Sequence, residues 1–246
     1  MFIALLTIAS IAAGAIASVA GFGIGTVLTP VFALQVDMKL AVAAVAIPHL
    51  AATSLRLWMM REHVDGRLVR TFGVMSAAGG LTGALLQQRL HGPGLVMVFG
   101  GLLVFAGVTG LTGAMERVRL GRTAAWIAGL LSGIFGGLVG NQGGIRSAAL
   151  LGFDVRLAAF VASATAAALM VDVARMPVYI ALEADRLGAL AGSIALAAAG
   201  AIAGTIGGER VLRRIPPPIF KKLVSALVLG VGIYMLFRAD PSPTAQ

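Results

Sequence analysis

"GLVGNQGGIRSAALLG", residues 137–152, places five glycines, an Asn-Gln pair and Arg146 within a chain that is 59% hydrophobic. Glycine is disfavoured inside a helix because it loses more conformational freedom on folding than any other residue. The stretch therefore predicts a break in a membrane segment, with a buried arginine directly behind it. An arginine at the centre of a bilayer costs about 2.5–3.5 kcal/mol on insertion scales, so Arg146 requires a partner.

The composition indicates an all-α integral membrane protein. Only 12% of the residues are charged, whereas a soluble domain carries about 25%. The chain has no cysteine, which excludes disulfides and thiolate-bound metals; no metal site and no cofactor are predicted. The positive-inside rule assigns the net charge of +9 to loops, so membrane lipids are expected partners and nucleic acid is not.

Eight apolar stretches are long enough, or nearly so, to cross a bilayer core of about 30 Å as helices: 2–20, 40–60, 69–90, 94–114, 123–139, 156–182, 187–208 and 218–237. Two further apolar stretches, 26–36 and 145–153, are too short, since eleven helical residues span only about 16 Å. Each short stretch follows a glycine-rich break, at Gly21–Gly25 and at Gly140–Gly144. The expected fold has eight long transmembrane helices plus two short helices after the breaks, about ten segments.

Paired features divide the chain into two membrane repeats, residues 1–115 and 116–246, which together make one transmembrane domain. "VDMKLA" (36–41) matches "FDVRLA" (153–158), and each half contains one glycine break. When the short segments count as crossings, twelve Lys and Arg residues flank one side and five flank the other, the bias expected of a cytoplasmic face. Five crossings in each half predict inverted repeats with both termini outside, and internal repeats are typical of secondary transporters.

The two breaks predict an anion site near the membrane midplane. A break followed by a half-helix directs free backbone N–H groups and the positive end of the helix dipole toward the membrane interior. The first break contributes backbone amides and a hydroxyl, from Gly23, Gly25 and Thr26. The second contributes amides, polar side chains and a charge, from Asn141, Gln142, Gly143, Gly144, Arg146 and Ser147. An anionic substrate is then the partner that Arg146 requires.

His49 is a further polar residue inside an apolar segment. It follows Pro48, and Thr53 lies one turn further along the same helix face. A lone membrane histidine can hydrogen-bond a neighbouring helix, contact the substrate, or take up a proton, because its unperturbed pKa is about 6.5. The sequence leaves all three roles open.

Asp172 and Arg175, at positions i and i+3, are expected to pair on one helix face. A neutralised pair is cheaper to bury than either charge alone, which is the structural interpretation. In the functional interpretation Arg175 binds the anion and Asp172 is the proton-coupling carboxylate. Arg56 is expected to reach the cytoplasmic interface, with Trp58 as an aromatic anchor.

Other residues are given structural roles. Gly133-x-x-x-Gly137 and Gly204-x-x-x-Gly208 are expected to allow close helix packing. Asp37 and Asp154 each precede a long segment and are expected to be helix N-caps.

The glycine motifs resemble those of one known family. "GFGIGTVLTP" (21–30), followed by "AVAAVAIPHLAATSLRLWMMREHVDGRL" (41–68), looks like the first half of the sulfite exporter TauE/SafE family. Members of that family repeat a Gly-x-Gly-Gly-Gly-x-x-x-x-Pro-like motif in each half. The resemblance spans roughly residues 8–237: the first copy is Gly21, Gly23, Gly25 and Pro30, and the second is Gly140, Gly143 and Gly144. The second copy departs at Gln142, which replaces a glycine, and at Ala149, which replaces the proline.

The resemblance implies a bacterial permease or exporter for sulfite, sulfonates and related organosulfur anions, a multi-pass protein of the cell inner membrane. With the paired breaks, it predicts a secondary transporter, working as an exporter, that moves a small organosulfur anion by alternating access. The chain has no Walker-type motif, so it is not expected to hydrolyse ATP, and H⁺ is the candidate coupling ion. A channel with re-entrant half-helices is the alternative. An enzyme is not expected, because histidines 49, 63 and 91 do not suggest a catalytic set.

Overall fold

The computed structural model describes residues 1–90, 93–114, 122–140, 146, 157–212 and 217–239, and over these residues the chain is helical without strands. The prediction of an all-α fold is thereby confirmed. The helices are α1 (Phe2–Ala20), α2 (Ile24–Phe32), α3 (Met38–Met60), α4 (Gly66–Gln87), α5 (Pro93–Thr112), α6 (Arg122–Val139), α7 (Leu157–Ala189), α8 (Ala191–Leu212) and α9 (Pro217–Ala239). A π-helical turn at Val69–Gly73 lies within α4.

Both predicted breaks begin at a glycine in the left-handed conformation. Gly21 has φ 79° and ends α1, and Gly140 has φ 73° and follows α6. Each donates its N–H to a carbonyl four residues earlier, at 3.0 Å, which closes the last helical turn. Glycine is favoured here because a side chain is strained at positive φ.

A short helix follows the first break, as predicted. The helix α2 runs from Ile24 to Phe32 after Gly23, whose φ is 135°. The second short stretch, predicted at 145–153, lies outside the described residues except for Arg146.

The start of α3 confirms one predicted cap. The side chain of Asp37 accepts hydrogen bonds from the N–H groups of Lys39 and Leu40, at 3.1 and 3.2 Å. Two otherwise unpaired donors of the first turn are thus satisfied. The corresponding prediction for Asp154 lies outside the described residues.

Close packing at small residues joins two helix pairs. A Cβ atom at Gly133 or Gly137 of α6 would overlap the carbonyl oxygens of Ser76 or Gly80 in α4. In the pair of α1 and α8, a Cβ atom at Gly204 would overlap the carbonyl oxygen of Ile11, and one at Gly208 would overlap the Cβ atom of Ala15. Both predictions of glycine packing are confirmed, because such close backbone contact leaves no room for a side chain.

The contacts between helices are symmetric with respect to the two halves of the chain. The contact of α1 with α8 corresponds to that of α6 with α4, and the contact of α3 with α8 corresponds to that of α7 with α4. Two further pairs, α3 with α7 and α5 with α9, each join equivalent helices of the two halves. Exchanging α1 with α6, α3 with α7, α4 with α8 and α5 with α9 leaves this set unchanged. Residue contacts run in the same direction between α1 and α8 and in opposite directions between α5 and α9. The boundary at residues 115 and 116 stays a prediction.

Six helices in the described part of the chain are long and apolar enough to cross a membrane: Phe2–Ala20, Met38–His63, Gly66–Gln87, Pro93–Thr112, Ala158–Ala189 and Ala191–Gly208. Two more apolar helices, Trp126–Val139 and Lys222–Phe237, are shorter. The predicted count of eight long crossings is therefore not confirmed. The stretch predicted to end at residue 182 is followed by a kink at Glu183, where φ is −126° and ψ is 16°, and α7 then continues to Ala189.

Candidate functional site

The two glycine breaks lie against each other. Gly25, in the first turn of α2, is so close to the carbonyl oxygen of Gly140 that a Cβ atom on residue 25 would overlap that oxygen. A Cβ atom on Gly140 would lie 3.6 Å from Nη1 of Arg175 and 3.7 Å from Oγ1 of Thr29. The breaks therefore converge as the sequence predicted, and their depth in the membrane stays a prediction.

The N-terminus of α2 brings polar backbone to this junction. Ile24, Gly25 and Thr26 are all buried, and the N–H of Val27 is bonded to the carbonyl of Gly23 at 3.0 Å. The first N–H groups of a helix have no acceptor within that helix, and the helix dipole adds a positive partial charge there. This end of α2 is electrostatically suited to an anion.

Arg146 is a buried cation with spare hydrogen-bond donors. It is 2% exposed, and its Nη2 donates to the carbonyl oxygen of Gly21 across 3.2 Å. Its Nε and Nη1 are buried and have no hydrogen-bond partner among the residues that the structure describes. A buried donor without a partner costs about 1–3 kcal/mol, and more when it is charged. A ligand that accepts these bonds would remove that cost.

Arg56 contradicts the prediction of an arginine at the cytoplasmic interface. It is 6% exposed, and its guanidinium donates to Oγ1 of Thr165 at 3.0 Å and to the carbonyl oxygens of Gly21, at 3.2 Å, and of Ala17. The carbonyl groups at the C-terminus of α1 lie at the negative end of its dipole, so they attract the cation inward. Trp58 is 65% exposed, and Arg61 lies over its ring at 5.2 Å.

The two arginines are close enough to repel. Each places an Nη2 atom 3.2 Å from the carbonyl oxygen of Gly21, so the two nitrogens are separated by at most twice that distance. Two like charges about 6 Å apart repel by about 3 kcal/mol at an effective dielectric constant of about 20. The protein therefore holds two cations together in a buried place, which is unfavourable unless negative charge joins them.

His49 and Asp172 join α3 to α7 in a second cluster. The Nδ1–H of His49 donates to Oδ2 of Asp172 across 2.6 Å, and Oγ1 of Thr53 lies 3.4 Å from the same nitrogen. Oδ1 of Asp172 accepts from Nε and Nη2 of Arg175, at 3.1 and 2.7 Å. The predicted pairing of Asp172 with Arg175 is confirmed, and a neighbouring-helix bond for His49 is present.

Arg175 also ties this second cluster to the second break. Its Nη1 donates to the carbonyl oxygen of Gly136 at 2.6 Å, and the hydroxyl of Tyr179 donates to the carbonyl oxygen of Gly137. The guanidinium lies 5.6 Å from the centre of the Tyr179 ring. Each nitrogen of Arg175 thus has a protein partner, and a contact of Arg175 with the substrate stays a prediction.

Some site residues were predicted, some were missed, and some lie outside the described residues. Gly23, Gly25 and Thr26 lie at the start of α2, where Gly25 contacts Gly140. Other predicted site residues lie outside the described residues: Asn141, Gln142, Gly143, Gly144 and Ser147. Arg56 was missed, although His49, Thr53 and Arg56 at i, i+4 and i+7 mark one face of α3. Thr29 was missed too; its Oγ1 is buried without a hydrogen-bond partner among the described residues, and it follows Thr26 by one turn.

The described residues contain no group of three or more His, Cys, Asp or Glu side chains that could hold a metal ion. The buried charged side chains of the described chain are instead three arginines, one aspartate and His49. With His49 neutral, their net charge is +2. This net positive charge favours a negatively charged ligand over a positively charged one.

A separate charged group lies at the ends of α3, α4 and α7. Asp37 accepts a hydrogen bond from Arg186, which also pairs with Glu183 at 3.0 Å, and Nζ of Lys39 donates to the carbonyl of Gln88 at 3.2 Å. Partial burial raises the pKa of Asp37, but hydrogen bonds from Arg186 and from two backbone N–H groups outweigh it and hold the pKa below 3.8. This group links the two halves outside the buried site.

Comparison with known proteins assigns a family. No curated protein and no solved structure gives a match. The sequence profile of the family described as "Sulfite exporter TauE/SafE" matches residues 6–235, nearly the whole chain. The match supports a membrane transport protein, as do the apolar helices. The chain belongs to the sulfite exporter TauE/SafE family.

Proposed function

We propose that this protein is a secondary transporter, working as an exporter, for a small organosulfur anion such as sulfite or a short sulfonate. The observation that carries the proposal is Arg146, a buried guanidinium with two unpartnered nitrogens among the described residues. Charge-assisted hydrogen bonds from such a group to an oxyanion are short and strong. The family supplies the class of substrate, and the site supplies the charge and donors that bind it.

The proposed binding site has one half from each break. The first half is the N-terminus of α2, with Gly23, Gly25 and Thr26, and the second half contains Arg146 with Asn141, Gln142, Gly143, Gly144 and Ser147. The close contact of Gly25 with Gly140 supports this arrangement. His49, Thr53 and Arg175, on the central helices α3 and α7, are proposed to contact the substrate from the adjoining side.

Alternating access is proposed to arise from rocking of two inverted repeats around this site. The directions of equivalent helices support the inversion. His49 of α3 contacts Asp172 of α7, and Arg56 of α3 contacts Thr165 of α7. Moving seven residues forward along α3 therefore corresponds to moving seven residues backward along α7. These two helices occupy equivalent places in the two halves and run antiparallel at this point, whereas repeats related by an axis along the membrane normal would make them parallel.

Proton coupling is proposed at Asp172 together with His49. Asp172 is bonded to both Arg175 and His49, and a neutral imidazole that donates from Nδ1 keeps a lone pair on Nε2 for a proton. Intramembrane ionisable residues commonly form proton relays in transporters. The cell inner membrane of a bacterium is the proposed location.

The test is transport of radiolabelled sulfite into proteoliposomes, with and without an imposed pH gradient. Wild-type protein is expected to accumulate sulfite against its gradient while the pH gradient lasts, and an ionophore that collapses the gradient is expected to abolish accumulation. Arg146→Ala is expected to lose at least about 90% of this uptake, since a lost charge-assisted bond costs about 1.5–3 kcal/mol. Arg61→Ala is the matched control, because Arg61 is exposed and contacts Trp58.

Each outcome decides one part of the proposal. Uptake that never exceeds equilibrium, at a rate far above that of a transporter, would identify the channel instead. Uptake by Arg146→Ala equal to that of Arg61→Ala contradicts the anion site. Accumulation that persists without the pH gradient contradicts proton coupling and leaves another driving ion to be identified.

A further inference from the structure

Arg56 and Arg146 share one acceptor, the carbonyl oxygen of Gly21 at the C-terminus of α1. They come from different places in the sequence, 90 positions apart, and both are buried. Their Nη2 atoms each lie 3.2 Å from that oxygen. A single carbonyl dipole does not neutralise two full positive charges, so this place carries excess positive charge.

No carboxylate within the described residues bonds either arginine. The buried carboxylate of that part of the chain is Asp172, and its oxygens are bonded to His49 and Arg175. Desolvating two neighbouring cations is costly, and nearby negative charge offsets that cost. Among the described residues, neither arginine of the pair therefore has a carboxylate bonded to it.

We propose that Arg56 and Arg146 form a paired guanidinium site that selects doubly charged oxyanions over singly charged ones. The inference rests on the proposed function and adds the charge class of its substrate. Arg146 donates hydrogen bonds to the anion through the nitrogens that lack protein partners. Arg56 contributes its charge and holds the C-terminus of α1, through Ala17 and Gly21, at the edge of the site.

The selectivity follows from the separation of the two cations. A monoanion neutralises one guanidinium and leaves the other uncompensated, whereas a dianion neutralises both. Sulfite and methanesulfinate form a matched pair of probes, because both are pyramidal at sulfur and a methyl group replaces one oxygen. Sulfate and methanesulfonate form the corresponding tetrahedral pair.

The experiment measures the dissociation constants of both pairs by calorimetry, with full-length protein in detergent at alkaline pH, where sulfite is the dianion. Wild-type protein is expected to bind the dianion of at least one pair about tenfold or more tightly than its monoanion. In Arg56→Gln that ratio is expected to fall close to one, mainly through weaker binding of the dianion. Arg56→Lys keeps the charge and is expected to keep most of the preference. Arg61→Gln, a change at an exposed arginine near the end of the same helix, is expected to keep all of it.

Two results separate this inference from the proposed function. Wild-type protein that binds both members of each pair equally well leaves anion transport standing and overturns the dianion preference. Wild-type protein that binds none of the four anions contradicts the proposed function and the inference with it.

The variants then distinguish charge from structure. If Arg56→Gln weakens both members of a pair by the same factor, Arg56 only holds α1 in place and the inference is wrong. If Arg56→Gln does not yield folded protein, the wild-type ratio and Arg56→Lys decide, and loss of the preference in folded Arg56→Lys overturns the role of charge.

Discussion

In the described part of the chain, two buried charge clusters each include a residue of α3, and they differ in how far the protein itself neutralises them. At His49, Asp172 and Arg175, one carboxylate is bonded to two basic side chains, and each guanidinium nitrogen has a protein partner. At Gly21, Arg56 and Arg146 share one carbonyl oxygen, and two nitrogens of Arg146 lack partners among the described residues. The distance along α3 from His49 to Arg56 is two helical turns.

In the first cluster the charges and hydrogen-bond donors are satisfied by the protein itself, whereas in the second a bound anion would satisfy them. A buried ion pair is strongly destabilised when one partner is removed, because the other charge is left uncompensated. When a cation that is already uncompensated is removed, the protein loses little stability. Stability measurements on single substitutions therefore tell the two clusters apart before any substrate is added.

The largest expected effect comes from neutralising one residue in each cluster. Asp172→Asn is expected to lower the free energy of unfolding by about 3–5 kcal/mol, since Arg175 then remains as a buried unpaired cation. Arg146→Met is expected to leave it unchanged or raise it by about 1–3 kcal/mol, because its repulsion from Arg56 is removed. Thermal and chemical unfolding in detergent measure both, with exposed Asp185→Asn as the control. Equal destabilisation by Asp172→Asn and Arg146→Met contradicts the comparison.

An intermediate effect is expected where the two breaks touch. Gly25→Ala places a methyl group against the carbonyl oxygen of Gly140, and overpacking of this kind costs about 1–3 kcal/mol. Sulfite uptake is expected to fall as well, because the breaks must separate. Gly101→Ala is the matched control, since a Cβ atom at Gly101 meets no atom within 4 Å. Normal stability and uptake in Gly25→Ala would show that the breaks do not depend on this contact.

The smallest expected effect concerns charge outside both clusters. Because the folded-state pKa of Asp37 is lowered, its ionised form stabilises the fold above the unfolded pKa, and this contribution is lost as the pH falls through the folded pKa. Asp37→Asn keeps an N-cap residue and is expected to cost less than about 1 kcal/mol at neutral pH, as partly exposed ion pairs do.

The pH dependence is the check on this last effect. The difference in unfolding free energy between wild type and Asp37→Asn is expected to shrink at acidic pH and to vanish below the folded pKa, which lies under 3.8. A difference that stays constant down to that pH would show that the ionised form of Asp37 does not stabilise the fold.

Local patterns in the sequence predicted much of the fold. The breaks at Gly21 and Gly140, the cap at Asp37 and the glycine-packed helix pairs were all foreseen, because each depends on backbone conformation or on side-chain size within a few residues. The predicted end of one segment at residue 182 agrees with a kink in α7, because the next residue, Glu183, has non-helical dihedral angles.

The amino-acid sequence by itself determined that the chain is a helical membrane protein with paired breaks, that Asp172 and Arg175 can pair, and that it resembles one transporter family. Only the tertiary structure decided that Arg56 lies inside with Arg146 at Gly21 and that His49 meets Asp172. The physical reason is the distance along the sequence over which each interaction acts. Hydrophobicity, glycine conformation and i, i+3 spacing act within one helix, whereas the partner of a buried charge is chosen by which helix packs against it. In this protein Arg146 bonds Gly21, 125 positions away in the sequence, and His49 bonds Asp172, 123 positions away.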